Sequence, residues 1–232
     1  MAVRDQIKLF AEQVCPPILL SPLKRLYRNR IGTKSMGAPG GQNLAVYWDA
    51  AMEEMLETWG EGNVWSEIQL AMAGRKGRVL DIACGTGKTI EVLAGEAGLE
   101  VWGCDISDRL ISRAVRRGIS PERLHVGDAT KLPYEDKFFD YSYSIGSIEH
   151  FTEDGIAAML AECRRVTRKV AFHTHPVSKS GRDEGWITTL QSYFNNSPEW
   201  WAEKYCKAFS TVRILDSLWH DERSVGKWFV CS

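Results

Sequence analysis

One stretch constrains this 232-residue chain more than any other: Arg78-Val-Leu-Asp-Ile-Ala-Cys-Gly-Thr-Gly-Lys-Thr-Ile90. Val79, Leu80, Ile82 and Ala83 form a short apolar run of the kind that fills a buried parallel strand. Asp81 interrupts that run, Gly85 and Gly87 follow at once, and Ile90, Val92 and Leu93 then open a helical pattern. Glycine at such a junction permits positive φ and lets the backbone approach a ligand with no Cβ in the way. The helix behind it begins with free N–H groups, where a nucleotide-like ligand can sit.

Two better-known glycine loops do not fit. A phosphate-binding loop of the form Gly-x-x-x-x-Gly-Lys-Ser/Thr is matched at its end by Gly87-Lys88-Thr89, but position 82 is Ile where its first glycine belongs. A dinucleotide fingerprint needs a third glycine three residues after the second, and that position is Ile90. What remains, Asp-x-Ala-x-Gly-x-Gly after a strand, resembles the first motif of class I S-adenosylmethionine (SAM)-dependent methyltransferases, with Ala83 replacing that motif's first glycine. The resemblance implies that Asp81, Ala83, Gly85 and Gly87 line a SAM site.

The rest of the chain continues the pattern. From residue 78 strands and helices alternate, which implies right-handed crossovers and a largely parallel sheet. Strands are predicted at 78–83, 100–105, 123–127, 138–145 and 166–173, and helices near 87–96, 107–117 and 154–164. Asp105 ends the second strand, where an acidic group can accept both ribose hydroxyls; a helix cap for 107–117 is the alternative. The third strand ends in Val126-Gly-Asp-Ala129. In the family resembled, that place contacts the adenine, so Asp128 and Ala129 are implied there, as are Ile106 beside Asp105 and Ser144 and Ile145 at the end of strand four. Leu132-Pro-Tyr-Glu-Asp-Lys-Phe-Phe-Asp140 is similar to the Leu-Pro-Phe-x-Asp-x-x-Phe-Asp signature of the branch that includes the ubiquinone/menaquinone methyltransferases. It implies that Phe139 packs in the core and that Asp140 starts strand four. These four features cover about residues 78–151.

The resemblance implies an α/β, Rossmann-like class I sheet in the order 3-2-1-4-5-7-6, with strand 7 antiparallel and an N-terminal helical extension. Thr211–Leu218 and Lys227–Cys231 read as the closing hairpin. Residues 1–41 are expected to be a basic amphipathic helical arm and hinge. Residues 42–232 would form the methyltransferase domain, with its cofactor half at 78–151 and an acceptor-recognition insert at about 176–209. Within 1–30 the short apolar face and the basic cluster of Lys24, Arg25, Arg28 and Arg30 suit packing on the domain or a second subunit. The alternative is weak docking on an anionic membrane surface or a partner enzyme. Ala45-Val-Tyr-Trp-Asp49 leads toward a further helix, and Tyr47 resembles the aromatic residue that the family folds over its cofactor.

A net charge of −1 offers no global electrostatic attraction to nucleic acid. Ser144-Ile-Gly-Ser147 stands where many amino-group DNA methyltransferases carry Asp/Asn-Pro-Pro-Tyr, so no nucleic-acid partner is expected. Six scattered cysteines, without a C-x-x-C pair, fit a reducing cytosol. With no secretory signal or bilayer-length apolar run, the expected location is cytoplasmic, including the inner membrane surface as a peripheral site.

Candidate chemistry follows strands four and five. His150 comes after strand four, and His173 and His175, two apart on strand five, share a face. His150 is the first choice and His173 the second for the general base that an alcohol acceptor requires, with His175 on the substrate. Hydrogen-bonded histidines without a catalytic task are the second reading. A divalent metal held by the three imidazoles is the third and least favoured, since the nearest carboxylate, Glu149, is expected to face away. Trp186, Gln191, Tyr193 and Asn195 belong to an aromatic and amide-rich segment suited to a sugar, and Trp186–Phe209 is expected to be helical. Trp200 and Trp201 serve equally well as core residues.

That aromatic and amide-rich segment, with Pro16-Pro17 and the Trp219…Gly-Lys-Trp228-Phe ending, resembles methyltransferases of surface-polysaccharide assembly. The reading is therefore a SAM-dependent methyltransferase yielding S-adenosylhomocysteine, with O-methylation of a sugar or glycan hydroxyl as the leading activity that the resemblance implies. A quinone or natural-product acceptor, N- or C-methylation, a non-catalytic SAM-binding module and a nicotinamide-dependent oxidoreductase are the alternatives. Oligomeric state is left open.

Overall fold

A computed structural model describes residues 42–232; the expected arm and most of the hinge, residues 1–41, lie outside the described residues. The described chain opens with a 3-10 turn, Leu44–Trp48, then α1 (Ala50–Met55) and α2 (Val64–Met72). Asp49 separates turn from helix by adopting extended backbone and accepting Ala51 N–H, an N-cap.

Next come β1 (Gly77–Ile82), α3 (Lys88–Leu93), β2 (Leu99–Asp105), α4 (Asp108–Arg116) and β3 (Leu124–Val126). They are followed by β4 (Phe139–Ile145), a 3-10 turn Ile148–His150, α5 (Glu153–Val166) and β5 (Thr167–Ser178). A two-stranded ribbon, β6 (Trp186–Ile187) and β7 (Tyr193–Phe194), precedes α6 (Pro198–Ala208), and β8 (Val212–His220) and β9 (Ser224–Cys231) end the chain.

Seven strands form one sheet in the order β3-β2-β1-β4-β5-β9-β8. The first five pair in parallel, and β9 runs antiparallel to both β5 and β8. With the ribbon set aside, this is the expected 3-2-1-4-5-7-6 order. Alternation along β1 divides the core. Leu80 and Ile82 join Phe139, α5, Trp201 and Tyr205 on one face, while Val79 joins Tyr141, Tyr143 and helices α2, α3 and α4 on the other. Phe139 is fully buried, and Asp140 behind it accepts Arg78 N–H and pairs with Arg168 and Lys169, fixing the lower end of β4.

Two expectations change. β5 continues five residues beyond the predicted end, because Thr174 to Ser178 pair with Trp228 to Ser224 of β9. The 186–194 segment is a ribbon rather than a helix, and helix begins only where Ser197 accepts Trp200 N–H and Pro198 takes the first helical position. The β-branched and aromatic residues before Ser197 pair across a turn closed by Thr189 and Ser192.

Candidate active site

The site lies at the C-terminal ends of β1, β2 and β4, where ligands of open α/β sheets bind. Ala83 (φ 61°), Gly85 (φ 55°) and Gly87 (φ 72°) all take left-handed backbone, bending the chain from β1 into α3. A Cβ on Gly85 would meet only Leu56, at 3.3 Å. One on Gly87 would strike Ile119 at 2.5 Å and Ala114 at 2.8 Å. Gly85 therefore gives close approach to a ligand, and Gly87 packs α3 against the end of α4.

Asp105 ties the loop to β2. Its Oδ2 accepts Gly85 N–H and its Oδ1 accepts Ser107 N–H, each at 2.9 Å, leaving one lone pair on each oxygen for a diol. Burial raises its carboxyl, against the pull of the Ser107, Gly85 and Ile106 N–H groups. Asp81 is also buried, and its Oδ2 has no partner among the described residues. Burial lifts its carboxyl well above the usual range, with Tyr143 beside it pulling it down and Asp105 adding to the rise. Two buried acids, one with a lone pair left on each oxygen and one with an unpartnered oxygen, suit a cationic ligand with ribose hydroxyls. SAM has both features, and the glycine cradle admits it. Asp128 is exposed at the end of β3, where its Oδ1 accepts Thr130 N–H at 2.8 Å, and Ala129 beside it is buried. Ile106 is half-buried and Ile145 buried at their strand ends.

The 44–57 segment closes one side. Ser107 Oγ donates to Tyr47 O at 2.7 Å, and Trp48 Nε1 donates to Asp108 at 2.7 Å. Glu53 meets Arg109, Arg113 and Arg116, and Glu57 meets Arg113 and Arg117. Each exposed pair contributes about 0.2–1 kcal/mol, so the clamp depends on their number. The Tyr47 side chain hydrogen-bonds Gln191, while burial and the nearby carboxylates of Glu149 and Asp105 push its phenol up. Tyr47 thus spans the cofactor side and the ribbon. Trp48, 42% exposed, turns outward.

The histidines separate. His150, at the end of its 3-10 turn, hydrogen-bonds Ser192 O through Nδ1 at 2.9 Å, and its Nε2 faces Glu149 Oε1 at 3.7 Å. Burial lowers its pKa to about 4, so the ring is neutral at pH 7. His173 is a correction to the expected pair of bases. It is fully buried, with Nδ1 2.7 Å from Ser144 Oγ and Nε2 3.4 Å from Cys163 Sγ, and burial pushes it down to about 3. Both nitrogens are engaged inside the core beneath α5, away from any acceptor.

Ser144, expected on the cofactor, is likewise spent on His173. His175 does share a face with His173, but that face is the core. Its ring stacks on Phe229 at 4.9 Å and lies 4.1 Å from Trp201, so it is not an open substrate contact. Among the described residues no three His, Cys, Asp or Glu converge into a metal-holding group.

The ribbon brings Gln191, Tyr193 and Ser192 to the site, with the Tyr193 ring 6.5 Å from His150. Trp186 packs edge-on against Phe194 at 4.9 Å. Asn195 is another correction. Fully buried, it donates to Glu184 and accepts from Ser224, forming the ribbon's anchor rather than a ligand contact. Trp201 is wholly core, and Trp200 packs beside it.

Sequence reasoning missed Glu149, which is buried with Oε2 unpartnered among the described residues. Strand parity could not place it, because the 3-10 turn at 148–150 spaces side chains about a third of a turn apart.

This arrangement defines a nucleotide-cofactor site of the class I methyltransferase type, and comparison with known proteins agrees. Residues 79–170 match the family model described as a methyltransferase domain. The O-methyltransferase cnsE of Penicillium expansum is 32% identical over 136 residues, 56% of this chain and 48% of that protein. The ubiquinone/menaquinone biosynthesis C-methyltransferase UbiE of Burkholderia mallei is 35% identical over 112 residues, 45% of each chain. The chain thus spans about half the length of these curated relatives.

A Haemonchus contortus phosphoethanolamine N-methyltransferase, solved with phosphomonomethylethanolamine and S-adenosylhomocysteine, shares the fold at TM-score 0.59 and 18% identity. That match covers 71% of this chain and 51% of the other. Residues 79–170 thus match a methyltransferase domain, the fold is that of class I SAM-dependent methyltransferases, and the residues at the strand ends fit SAM. No helix among the described residues is long and apolar enough to cross a membrane.

Proposed function

We propose that this chain transfers a methyl group from SAM to a hydroxyl of a sugar or glycan, in the assembly of a surface polysaccharide. One observation carries the reading: the ribbon meets the cofactor half at the end of β4, through Gln191 on Tyr47 and Ser192 O on His150. That junction sets a planar amide and the aromatic rings of Tyr47 and Tyr193 beside two proton acceptors. Amides serve sugar hydroxyls, and aromatic faces serve sugar C–H groups. When bound, SAM supplies an electrophilic methyl on a cationic sulfur. Asp105, Asp81 and the 83–87 loop would hold it. The chain's remaining task is to align the acceptor oxygen and take its proton. Residues 42–232 act as the working domain.

A second reading, methylation of a small quinone-like or other natural-product acceptor, draws support from the relatives named for O-methylation and for quinone C-methylation. Labelled SAM offered with nucleotide sugars, lipid-linked glycans, free glycans and quinols separates the two. Label on a glycan supports the proposal, and label only on a quinol transfers it to the second reading. SAM binding with no label on any acceptor points to a silent binding module.

A further inference from the structure

Two side chains at the end of β4 can take a proton, and they differ in which atoms are free. His150 donates Nδ1–H to Ser192 O at 2.9 Å, which leaves Nε2 a lone pair turned to Glu149 Oε1 at 3.7 Å, beyond hydrogen-bond reach. Glu149 has Oε1 toward His150, while Oε2 is buried without a partner among the described residues. A buried carboxyl oxygen left without a partner is costly, and a ligand group that bonds it would offset that cost. Gly146, at the strand end, takes φ 63°; a Cβ there would lie 3.0 Å from the Trp59 ring and 3.7 Å from Glu149 Oε1. Glu149 is also close enough to Tyr47, the residue joining Asp105 to the ribbon, to act on its phenol electrostatically.

Resting on the methyl-transfer reading above, we infer that Glu149 Oε2, and not His150, receives the acceptor's proton, and that His150, whose Nε2 lone pair faces Oε1, is a positioning residue. As the acceptor oxygen bonds the methyl carbon, its O–H proton passes to Glu149 Oε2. The C–S bonding pair stays on sulfur, giving the methyl ether and S-adenosylhomocysteine. Glu149 must be ionised for this step. Burial raises its carboxyl to about 8, so it is largely protonated in the free protein at pH 7. Its titratable neighbours Tyr47 and Tyr205 are phenols raised by burial, and His150 is lowered to about 4, so none is charged at that pH. A sulfonium cation next to Glu149 would drive the proton off; the neutral thioether product would not.

The experiment is calorimetry of SAM and of S-adenosylhomocysteine binding at pH 7 in buffers of different ionisation heat, for the wild type and Glu149→Gln. The wild type should release close to one more proton with SAM than with S-adenosylhomocysteine. In Glu149→Gln that difference should vanish and SAM affinity at pH 7 should fall about tenfold, because a carboxyl that gives up its proton as the sulfonium binds also strengthens that binding. On an acceptor that the wild type methylates, Glu149→Gln should slow single-turnover transfer about 10²–10⁴-fold. His150→Asn should slow it less and displace the pH-rate limb.

A proton difference that persists in Glu149→Gln assigns it to Asp81 or Asp105 and overturns the inference, as does transfer by Glu149→Gln within threefold of wild type. No difference in the wild type overturns it too. A wild type that gives no SAM heat at all defeats the cofactor assignment itself, a failure distinct from these.

Discussion

The 83–105 edge of the sheet and the 183–197 segment both carry polar side chains in buried settings, yet they use them oppositely. Along the first, backbone shape comes first: three left-handed residues turn the chain, and Asp105 holds two backbone N–H groups while keeping lone pairs for a ligand. Along the second, Asp183, Glu184, Asn195 and Ser197 are consumed by one another and by Ser178 and Ser224. Only the ribbon's tip, Gln191 to Tyr193, is delivered to the site. Buried polarity marks a binding group where an acceptor or donor is left over, and an anchor where none is.

Asp105→Ala tests that contrast hardest. It removes two ribose acceptors of the charge-assisted kind, worth about 1.5–3 kcal/mol each, so SAM affinity should fall at least about 10²-fold by calorimetry. Unchanged affinity would put the ribose elsewhere and end the comparison.

Asn195→Ala should do the reverse. It strips a partner from buried Ser224 and from Glu184, so unfolding in urea should show a loss of about 1–3 kcal/mol. SAM affinity should hold. A large loss of SAM affinity with an unchanged urea midpoint would return Asn195 to the ligand.

His173 extends the contrast to pH. Its folded pKa, near 3, lies below the usual 6.5, so between those values the unfolded chain binds a proton that the folded chain refuses. The stability it gives is complete above pH 6.5 and drains away as pH falls toward 3. His173→Asn should be less stable at pH 7.5, having lost its fit to Ser144 and Cys163. Its decline from pH 6.5 to 4 should nevertheless be shallower, by up to about 1.4 kcal/mol per pH unit. Parallel melting curves across that range would show that His173 is not buried neutral.

These differences explain what could be read from the residues alone. The strand order and the left-handed turn after β1 were legible because backbone geometry restricts the choice: positive φ favours glycine. Asp140 and Phe139 were legible for the same reason, each at a strand boundary. His173 and Asn195 were not, because imidazole and amide groups satisfy a core network as readily as a ligand. The outcome depends on whether Ser144, Cys163, Glu184 and Ser224 arrive from distant parts of the chain. Glu149 was hidden by a change of period, from two along β4 to three in the turn that follows.

The smallest effect belongs to the contact that joins the two regions. Gln191 touches Tyr47 at the edge of the site, where a neutral hydrogen bond contributes about 0.5–1.5 kcal/mol. Gln191→Ala should therefore cost no more than about 1.5 kcal/mol in urea unfolding and weaken SAM by no more than about tenfold, since Tyr47 keeps its backbone tie to Ser107. Tyr47→Phe should match it, and the double variant should be no worse than either single one if the two side chains act only through each other. Additive losses would instead mean that Gln191 and Tyr47 touch the ligands separately. The ribbon would then be a second wall of the cofactor site as well as a cover for the acceptor.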